Sequence, residues 1–239
     1  MCKLYQKIVM LSLYLGITGM VHAGILIDST RVIYPAEKKE VTLGMINKAS
    51  EPRLVQAWID QGDNDQEKIK VPFVVIPPVF RVDPEKGQTI RIIFTGGSIP
   101  QDRESVLWLN LLEIKPKLSN ENNHMKFSVR SRLKIFYRPT HLPGSQNQAI
   151  NDLQWRLILD GSKHLLECFN PSSYNVSFSD LSFKGAENKE TSKQSGMCPA
   201  KEKKAFPLEI EQTNTQGKLI LTTINDYGGF DRHEVPYTY

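Results

Sequence analysis

Residues 124–139 are the segment whose side chains point most directly to a binding function, and they read HMKFSVRSRLKIFYRP. Interpreted as a β-strand, this segment has one face of cations unless a bulge intervenes: Lys126, Arg130, Arg132 and Lys134. The opposite face is apolar: Met125, Phe127, Val129, Leu133 and Ile135. Such a pattern is typical of a half-buried strand with solvated charges, and a nucleic-acid surface is the alternative.

The search for catalytic residues finds little. The sequence contains no G-x-S-x-G, G-x-x-x-x-G-K-S/T, G-x-G-x-x-G or H-E-x-x-H motif. The histidines beyond the N-terminal segment are scattered along the chain: His124, His141, His164 and His233. We therefore predict a protein without catalytic activity, bound metal or cofactor.

The first 23 residues, MCKLYQKIVMLSLYLGITGMVHA, have the form of a secretory signal peptide. A basic start precedes an apolar run over residues 8–17 and a small-residue end, so cleavage is expected before Gly24. The apolar run is too short to span a membrane, which takes about 20 residues. Lys3 and Lys7 account for two of the net +4 charges, so the exported chain carries +2 and gives no indication of a polyanionic partner.

Two cysteines lie beyond this segment, Cys168 and Cys198. In an exported protein, a pair of cysteines favours a single disulfide. A metal site or a catalytic thiol is the alternative, but neither a nearby histidine pair nor a C-x-x-C spacing supports it.

Most of the remaining chain alternates between apolar and polar residues with a period of two, which predicts short β-strands. Clear examples are EVTLGMIN, RLVQAWID, SVLWLNLLEI and NVSFSDLSF. Turn-rich sequences separate the strands at intervals of roughly 8 to 12 residues, which is typical of β-sandwiches. No window of a dozen residues predicts an amphipathic helix.

The segment RPTHLPGSQNQAIND after Tyr137 lacks alternation and is rich in turn residues, so a domain boundary is predicted there. The predicted domains cover residues 24–139 and 140–239. Within the second domain, the polar residues 184–204 are predicted to form a loop that Cys198 holds at its end.

A series of motifs resembles the periplasmic chaperones of the chaperone-usher pathway, the PapD-like family that escorts pilus subunits to the outer membrane. The motifs are ILIDSTRVIYP, QAWID, PPVFRVDP, PQDRES, WLNLLEIKP, KIFYRP, NPSSYNV and INDYGG. They occur in order and span nearly all of the exported chain, so the combination is far more specific than any one motif.

The resemblance implies an all-β fold of two immunoglobulin-like β-sandwich domains in a boomerang arrangement. It also implies donor-strand complementation, in which the chaperone lends an edge strand to a subunit that lacks one. Met125, Phe127 and Val129 are then the donor residues that fill the subunit's groove. The short segment between Ile114 and Met125 is similar to that of the short-loop branch of the family.

The resemblance further assigns two groups of charged residues. Arg31 in DSTRVIY and Lys134 in LKIFYRP match two cleft cations that grip the subunit's C-terminal carboxylate and fix the register of the paired strands. Glu104, Arg138 and Asp226 match a cluster between the domains whose role is structural.

The implied partners are pilus or fimbrial subunits and an outer-membrane usher, and the implied location is the periplasm, without nucleic acid or membrane insertion. A self-capping homodimer that covers the donor strand of the free chaperone is a further partner that the resemblance allows. The alternative function is an exported two-domain adhesin or structural surface protein. An exported hydrolase comes third, because no nucleophile and base are indicated.

Overall fold

A computed structural model describes residues 24–62, 71–116, 127–161, 163–184, 190–191, 194–207 and 216–238. The predicted signal peptide lies outside the described residues, as do Met125 and Lys126 and most of the segment between Ile114 and Phe127. No helix among the described residues is long and apolar enough to cross a membrane.

The first part of the chain forms two sheets. The strands are β1 (Ile25–Ile27), β2 (Arg31–Pro35), β3 (Glu40–Asn47), β4 (Arg53–Asp60), β5 (Phe73–Ile76), β6 (Val79–Val82), β7 (Gly87–Phe94), β8 (Ser105–Ile114) and β9 (Val129–Arg138). One sheet has the order β1-β3-β7-β5 and the other the order β2-β9-β8-β4-β6. Neighbouring strands are antiparallel except for β2 and β9, which run parallel.

The two sheets face each other across a core that the alternation of the strands supplies. In β4, for example, Val55 and Ala57 are buried while Leu54 and Gln56 are exposed. Tyr34 belongs to this core and is fully buried, and its hydroxyl donates to the carbonyl oxygen of Lys39 at 2.9 Å. Alternating sequence therefore becomes a sandwich with one apolar side per sheet.

The chain changes sheet between β1 and β2, and this change leaves part of β9 open. β1 pairs with β3 in one sheet, whereas β2 pairs with β9 in the other. The β2 pairing covers β9 only from Lys134 to Arg138. Over residues 129–133, the side of β9 that faces away from β8 has no strand partner among the described residues.

The second part of the chain contains one short helix and a second sandwich. Its elements are α1 (Gln146–Asp152), β10 (Gln154–Asp160), β11 (Lys163–Asn170), β12 (Val176–Lys184), β13 (Glu190–Thr191), β14 (Gly196–Cys198), β15 (Glu202–Pro207), β16 (Gln216–Ile224) and β17 (Phe230–Thr238). The strand order is β13-β12-β16-β17-β10-β11-β15, with β14 also paired to β12. The β17–β10 step is a single parallel pairing of Arg156 with Thr238, and there the sheet folds over to enclose its own core.

The core of this second sandwich is aromatic and contains the disulfide. The Phe178 ring lies 5.2 Å from the Phe206 ring and 6.0 Å from the Trp155 ring. Cys168 on β11 is bonded to Cys198 on β14, and both residues are fully buried. Of the alternatives that the sequence left open for these two cysteines, the structure has the disulfide.

The all-β fold of two sandwiches is confirmed, but one short helix was not predicted and one local prediction was wrong. The linker segment contains helix α1, which Ser145 caps by accepting a hydrogen bond from the backbone N–H of Gln148 at 3.2 Å. Residues 184–204 are not simply a loop, because β14 and the start of β15 lie within them. Helix α1 has 7 residues and β14 has 3, so neither is long enough to leave a clear period in the sequence.

Candidate functional site

Arg31 and Lys134, the two predicted carboxylate-binding residues, are direct neighbours in the structure. They are opposite each other in the parallel pairing of β2 with β9. Residues opposite each other in a sheet point to the same face, so both cations project from one side of the strand pair. The sheet switch before β2 is therefore what brings Arg31 to Lys134.

Arg31 is a buried cation without a carboxylate of its own. Its side chain is 7% exposed, and Nη1 donates to the backbone carbonyl oxygen of Ile224 at 2.9 Å. Its buried Nε makes no hydrogen bond to any described residue. Burial lowers the pKa of Arg31, and the charge of Asp226 offsets part of that effect. The guanidinium therefore retains an unused donor.

Lys134 is a half-buried cation that also lacks a carboxylate partner among the described residues. Its Nζ lies 3.5 Å from the Ser177 hydroxyl oxygen and 5.6 Å from the centre of the Trp108 ring. Burial, and then the positive charges of Arg31 and Lys204, lower the pKa of Lys134 to about 8. Among the described residues, neither Lys134 nor Arg31 forms an ion pair. A buried and a half-buried cation side by side, without an anion among the described residues, can bind an external carboxylate.

Two predicted donor residues lie on the N-terminal side of Lys134: Val129 is the first residue of β9, and Phe127 comes just before the strand. Val129 is 55% exposed and Phe127 is 66% exposed, unusually high values for apolar side chains. Val129 begins the unpaired edge formed by residues 129–133, and Phe127 lies two residues before it. Met125, the third predicted donor residue, lies outside the described residues. An open strand edge with exposed apolar side chains is suited to pairing with a strand from another chain.

The cationic face of β9 also carries a layer of stacked side chains that the sequence did not reveal. The Arg132 guanidinium lies 4.7 Å from the centre of the Trp108 ring, and that of Arg130 lies 5.0 Å from the Trp58 ring. Asp60 accepts hydrogen bonds from both arginines, at 3.3 and 3.4 Å. These arginines are therefore fixed by neighbouring strands, whereas Lys134 on the same face has no such carboxylate.

Glu104, Arg138 and Asp226 form one ion cluster between the two sandwiches. Arg138 donates from Nε to Glu104 at 2.7 Å, and from Nη1 and Nη2 to the two carboxylate oxygens of Asp226 at 2.8 and 3.0 Å. Glu104 and Arg138 belong to the first sandwich, whereas Asp226 follows β16 of the second. The cluster thus joins residues from both sandwiches through a two-point arginine contact.

Sequence reasoning missed a further partner in this cluster, Asn175. The second carboxylate oxygen of Glu104 accepts from the backbone N–H of Asn175 at 2.8 Å and from its side-chain amide at 3.3 Å. Glu104 is 5% exposed, and burial raises its pKa against the opposing effects of Arg138 and Asn175. Asn175 lies in the NPSSYNV motif, but only its contact with Glu104 reveals its role in the cluster.

Two family models match this chain. One, described as pili and flagellar-assembly chaperone, PapD N-terminal domain, matches residues 24–143. The other, described as pili assembly chaperone PapD, C-terminal domain, matches residues 148–235. Together these models cover nearly all of the described residues.

Individual relatives agree with these models. The chaperone protein FimB/FhaD of Bordetella pertussis is 39% identical over 219 residues, covering 87% of this chain and 85% of the relative. The probable fimbrial chaperone YadV of Escherichia coli K12 is 36% identical and covers 87% of each chain.

Solved structures support the same grouping. The crystal structure of the YadV chaperone matches with a TM-score of 0.77 at 35% identity, covering 90% of this chain and 100% of that one. A structure of the Salmonella enterica SafA pilin in complex with the SafB chaperone matches with a TM-score of 0.73 at 25% identity, covering 90% of this chain and 96% of the matched chain. The chain belongs to the PapD-like family of periplasmic chaperones that assemble pili and fimbriae.

Proposed function

We propose that this protein binds pilus or fimbrial subunits by strand addition to β9, caps them, and delivers them to an outer-membrane usher. One observation carries the proposal: the unpaired edge of β9 over residues 129–133 ends at two cations, the buried Arg31 and the half-buried Lys134, that lack a carboxylate partner among the described residues. The SafA pilin bound to its SafB chaperone supports a subunit as the ligand.

The open edge supplies the main attractive surface. A subunit strand laid along residues 129–133 would accept and donate backbone hydrogen bonds on the side that β2 leaves uncovered. Phe127 and Val129 would enter the subunit's hydrophobic groove, which removes their exposed apolar surface from water. We assign the third donor position, Met125, on the sequence pattern alone.

The two cations set the direction of the added strand. If the subunit's C-terminal carboxylate is bound at Arg31 and Lys134, its last residues must precede that point along the open edge. The added strand then runs in the same direction as β9, from Val129 towards Lys134, as β2 does beyond it. Anchoring one end fixes the register, because slippage by one residue would turn the apolar side chains away from the groove.

The ion cluster of Glu104, Arg138 and Asp226 would hold the two sandwiches at the angle that keeps this cleft open. Its contacts cross between sandwiches, and Arg31 also crosses by donating to the Ile224 carbonyl oxygen two residues before Asp226. We expect no catalytic step, metal or cofactor in this function.

The test is a tagged pull-down from the periplasm of the native host, with bound proteins identified by mass spectrometry. Wild type should recover small exported subunits in near-equal amount, and the Arg31→Ala, Lys134→Ala double variant should lose them. A matched control is Arg81→Ala, Lys218→Ala, which removes two cations whose side chains are 68% and 64% exposed.

Binding that survives the double variant contradicts the carboxylate anchor. Failure of wild type to recover any subunit while subunits are being made contradicts the chaperone function, and would favour the adhesin alternative.

A further inference from the structure

A carboxylate with little exposure lies against the start of β1. Glu113 continues the inward-facing side of β8 after Leu109 and Leu111, and its side chain is 12% exposed. Its Oε2 accepts a hydrogen bond from the backbone N–H of Ile25 at 3.1 Å, and its Oε1 accepts from Nε of Arg53 at 2.7 Å. Glu113 therefore bridges from its own sheet to the backbone of β1 in the other sheet.

Gly24, the residue before β1, is held beside this carboxylate. Its carbonyl oxygen accepts a hydrogen bond from the backbone N–H of Lys48 at 3.0 Å. A β-carbon placed on Gly24 would lie 2.7 Å from Oε1 of Glu113, so the carboxylate occupies the space that a larger residue would need. The backbone nitrogen of Gly24 is bonded to the same α-carbon, so it lies within about 5 Å of the carboxylate.

The charges around Glu113 do not balance. Arg53 is shared between two carboxylates, since it lies 2.7 Å from Glu113 and 3.2 Å from Glu51. The side chain of Lys48 is already paired with Glu85 at 2.7 Å. Within the described part of the chain, Arg53 is the one cation paired with Glu113. A carboxylate with little access to water and half a share of a guanidinium favours a second cation.

We propose that this second cation is the α-ammonium group of the protein itself, formed at Gly24 when the signal peptide is removed. Hydrolysis of the Ala23–Gly24 peptide bond by a signal peptidase adds one water, leaving a carboxylate on Ala23 and an amine on Gly24. The amine takes up a proton at neutral pH and donates to Glu113, which completes an ion cluster with Arg53. The inference includes the cleavage site predicted from the sequence and does not depend on subunit binding.

The bound ammonium would fasten a short strand near the donor edge. β1 pairs with β3 over only three residues, and no other described strand pairs with it. Glu113 is opposite Val129 in the pairing of β8 with β9, so the ammonium would be held beside the first residue of the open edge. The uncleaved chain has an amide in place of the ammonium, so removal of the signal peptide would itself stabilise this part of the fold.

The test compares three N-terminal forms of the whole mature chain: a free α-amine at Gly24, an acetylated Gly24, and a form that retains Ala23. Acetylation removes the charge, and the retained residue moves it by about 3.8 Å along the chain. Chemical denaturation measures the folding equilibrium constant of each form. The free amine should give a constant about tenfold higher than either other form, as expected for a hydrogen bond between charged groups. Equal constants overturn the inference.

Glu113→Gln keeps the shape of the side chain and removes its charge, so the difference between the free and acetylated forms should disappear in this variant. Glu85→Gln is the matched control, because it removes a 64% exposed carboxylate that pairs with Lys48, and it should keep the tenfold difference. A tenfold difference that persists in Glu113→Gln overturns the inference. If Glu113→Gln does not fold, Glu113→Asp replaces it, since the shorter side chain withdraws the carboxylate and should also reduce the difference.

The cleavage site is tested separately by N-terminal sequencing and intact mass of the protein exported in its native host. The mature chain should begin at Gly24, and a mature chain that begins at any other residue overturns the inference. None of these measurements involves a subunit, so a negative result leaves the proposed function standing, and failure of subunit binding leaves this inference standing.

Discussion

Two clusters of charged side chains lie at the junction of the sandwiches, and they are built in opposite ways. Arg138 has acceptors on every side, since Glu104 and Asp226 together bind all three of its guanidinium nitrogens. Burial acts to lower the pKa of Arg138, but the hydrogen bonds to Asp226 and the charge of Glu104 raise it overall. At Arg31 and Lys134, burial prevails and both pKa values are lowered.

On the proposed function, this difference separates a group that maintains structure from a group that binds the subunit. A buried charge with a full set of partners is stable in the free protein, and removing one partner leaves the others uncompensated. A buried charge without a partner destabilises the free protein, and only a ligand can compensate it. We infer that Arg31 and Lys134 lower the free energy of unfolding of the free chaperone, because their charges are desolvated without a carboxylate partner until a subunit binds.

Removal of Arg138 should have the largest effect on stability. Arg138→Ala leaves the Glu104 carboxylate, which is 5% exposed, without its cation, and should lower the free energy of unfolding by about 3–5 kcal/mol. Chemical denaturation measures this change. Arg81→Ala, which breaks the exposed pair with Asp83, serves as control and should change it by only about 0–1 kcal/mol. Equal effects in the two variants would show that the cluster does not stabilise the fold.

Lys134→Met should change the free energy of unfolding in the opposite direction. Because the pKa of Lys134 falls from 10.5 to about 8 on folding, its charge destabilises the free protein near neutral pH. Replacing it with an apolar side chain of similar length should raise the free energy of unfolding by on the order of 1–3 kcal/mol while abolishing carboxylate recognition. Lys218→Met, at a 64% exposed side chain, should give no such gain. A destabilised Lys134→Met would place Lys134 with the structural cluster.

Phe127→Ala should weaken binding without affecting the fold. The side chain is 66% exposed in the free protein, so its removal should leave the unfolding curve unchanged. In the complex, the lost apolar contact should reduce subunit affinity by about tenfold, which corresponds to roughly 1.4 kcal/mol. Tyr227→Ala, which removes a 97% exposed aromatic ring outside the donor segment, is the control for affinity. Equal affinity of Phe127→Ala and wild type would remove Phe127 from the donor residues.

The smallest expected effect is the change of subunit affinity with pH, which accompanies a change in the free energy of unfolding. The unfolded chain binds more protons at Lys134 than the folded chain between about pH 8 and 10.5, so the unfolding free energy should rise with pH across that window. Subunit affinity should change in the other direction and fall by about twofold between pH 7 and pH 8, as half of the Lys134 side chains lose their charge. Calorimetry across this range measures both. The variant Lys134→Arg should lose the dependence, and a dependence that persists in it would assign the titration to another group.

The fold class could be predicted because alternation within each strand is local. β4 and β8 have the bounds that the patterns RLVQAWID and SVLWLNLLEI indicated. Helix α1 could not be predicted from an apolar pattern, because it spans only residues 146–152 and buries only Ala149 and Ile150. One turn or two of helix does not establish a period of 3.6.

The candidate site was only partly accessible from the sequence. The resemblance pointed to Arg31, Lys134, Glu104, Arg138 and Asp226, because each of them lies within a motif. Ser177 was missed, although its hydroxyl oxygen lies 3.5 Å from the Lys134 Nζ, since no local pattern distinguishes it from a surface residue.

By itself, the sequence determined the strands, the membership of the family and the types of residue available for binding. Tertiary structure alone decided which charges are satisfied. Arg138 meets Asp226 across 88 positions of sequence, and Arg31 meets the Ile224 carbonyl across 193. The physical reason is that alternation assigns a residue to a face of its own strand, whereas burial and ion pairing depend on which distant strand packs against that face.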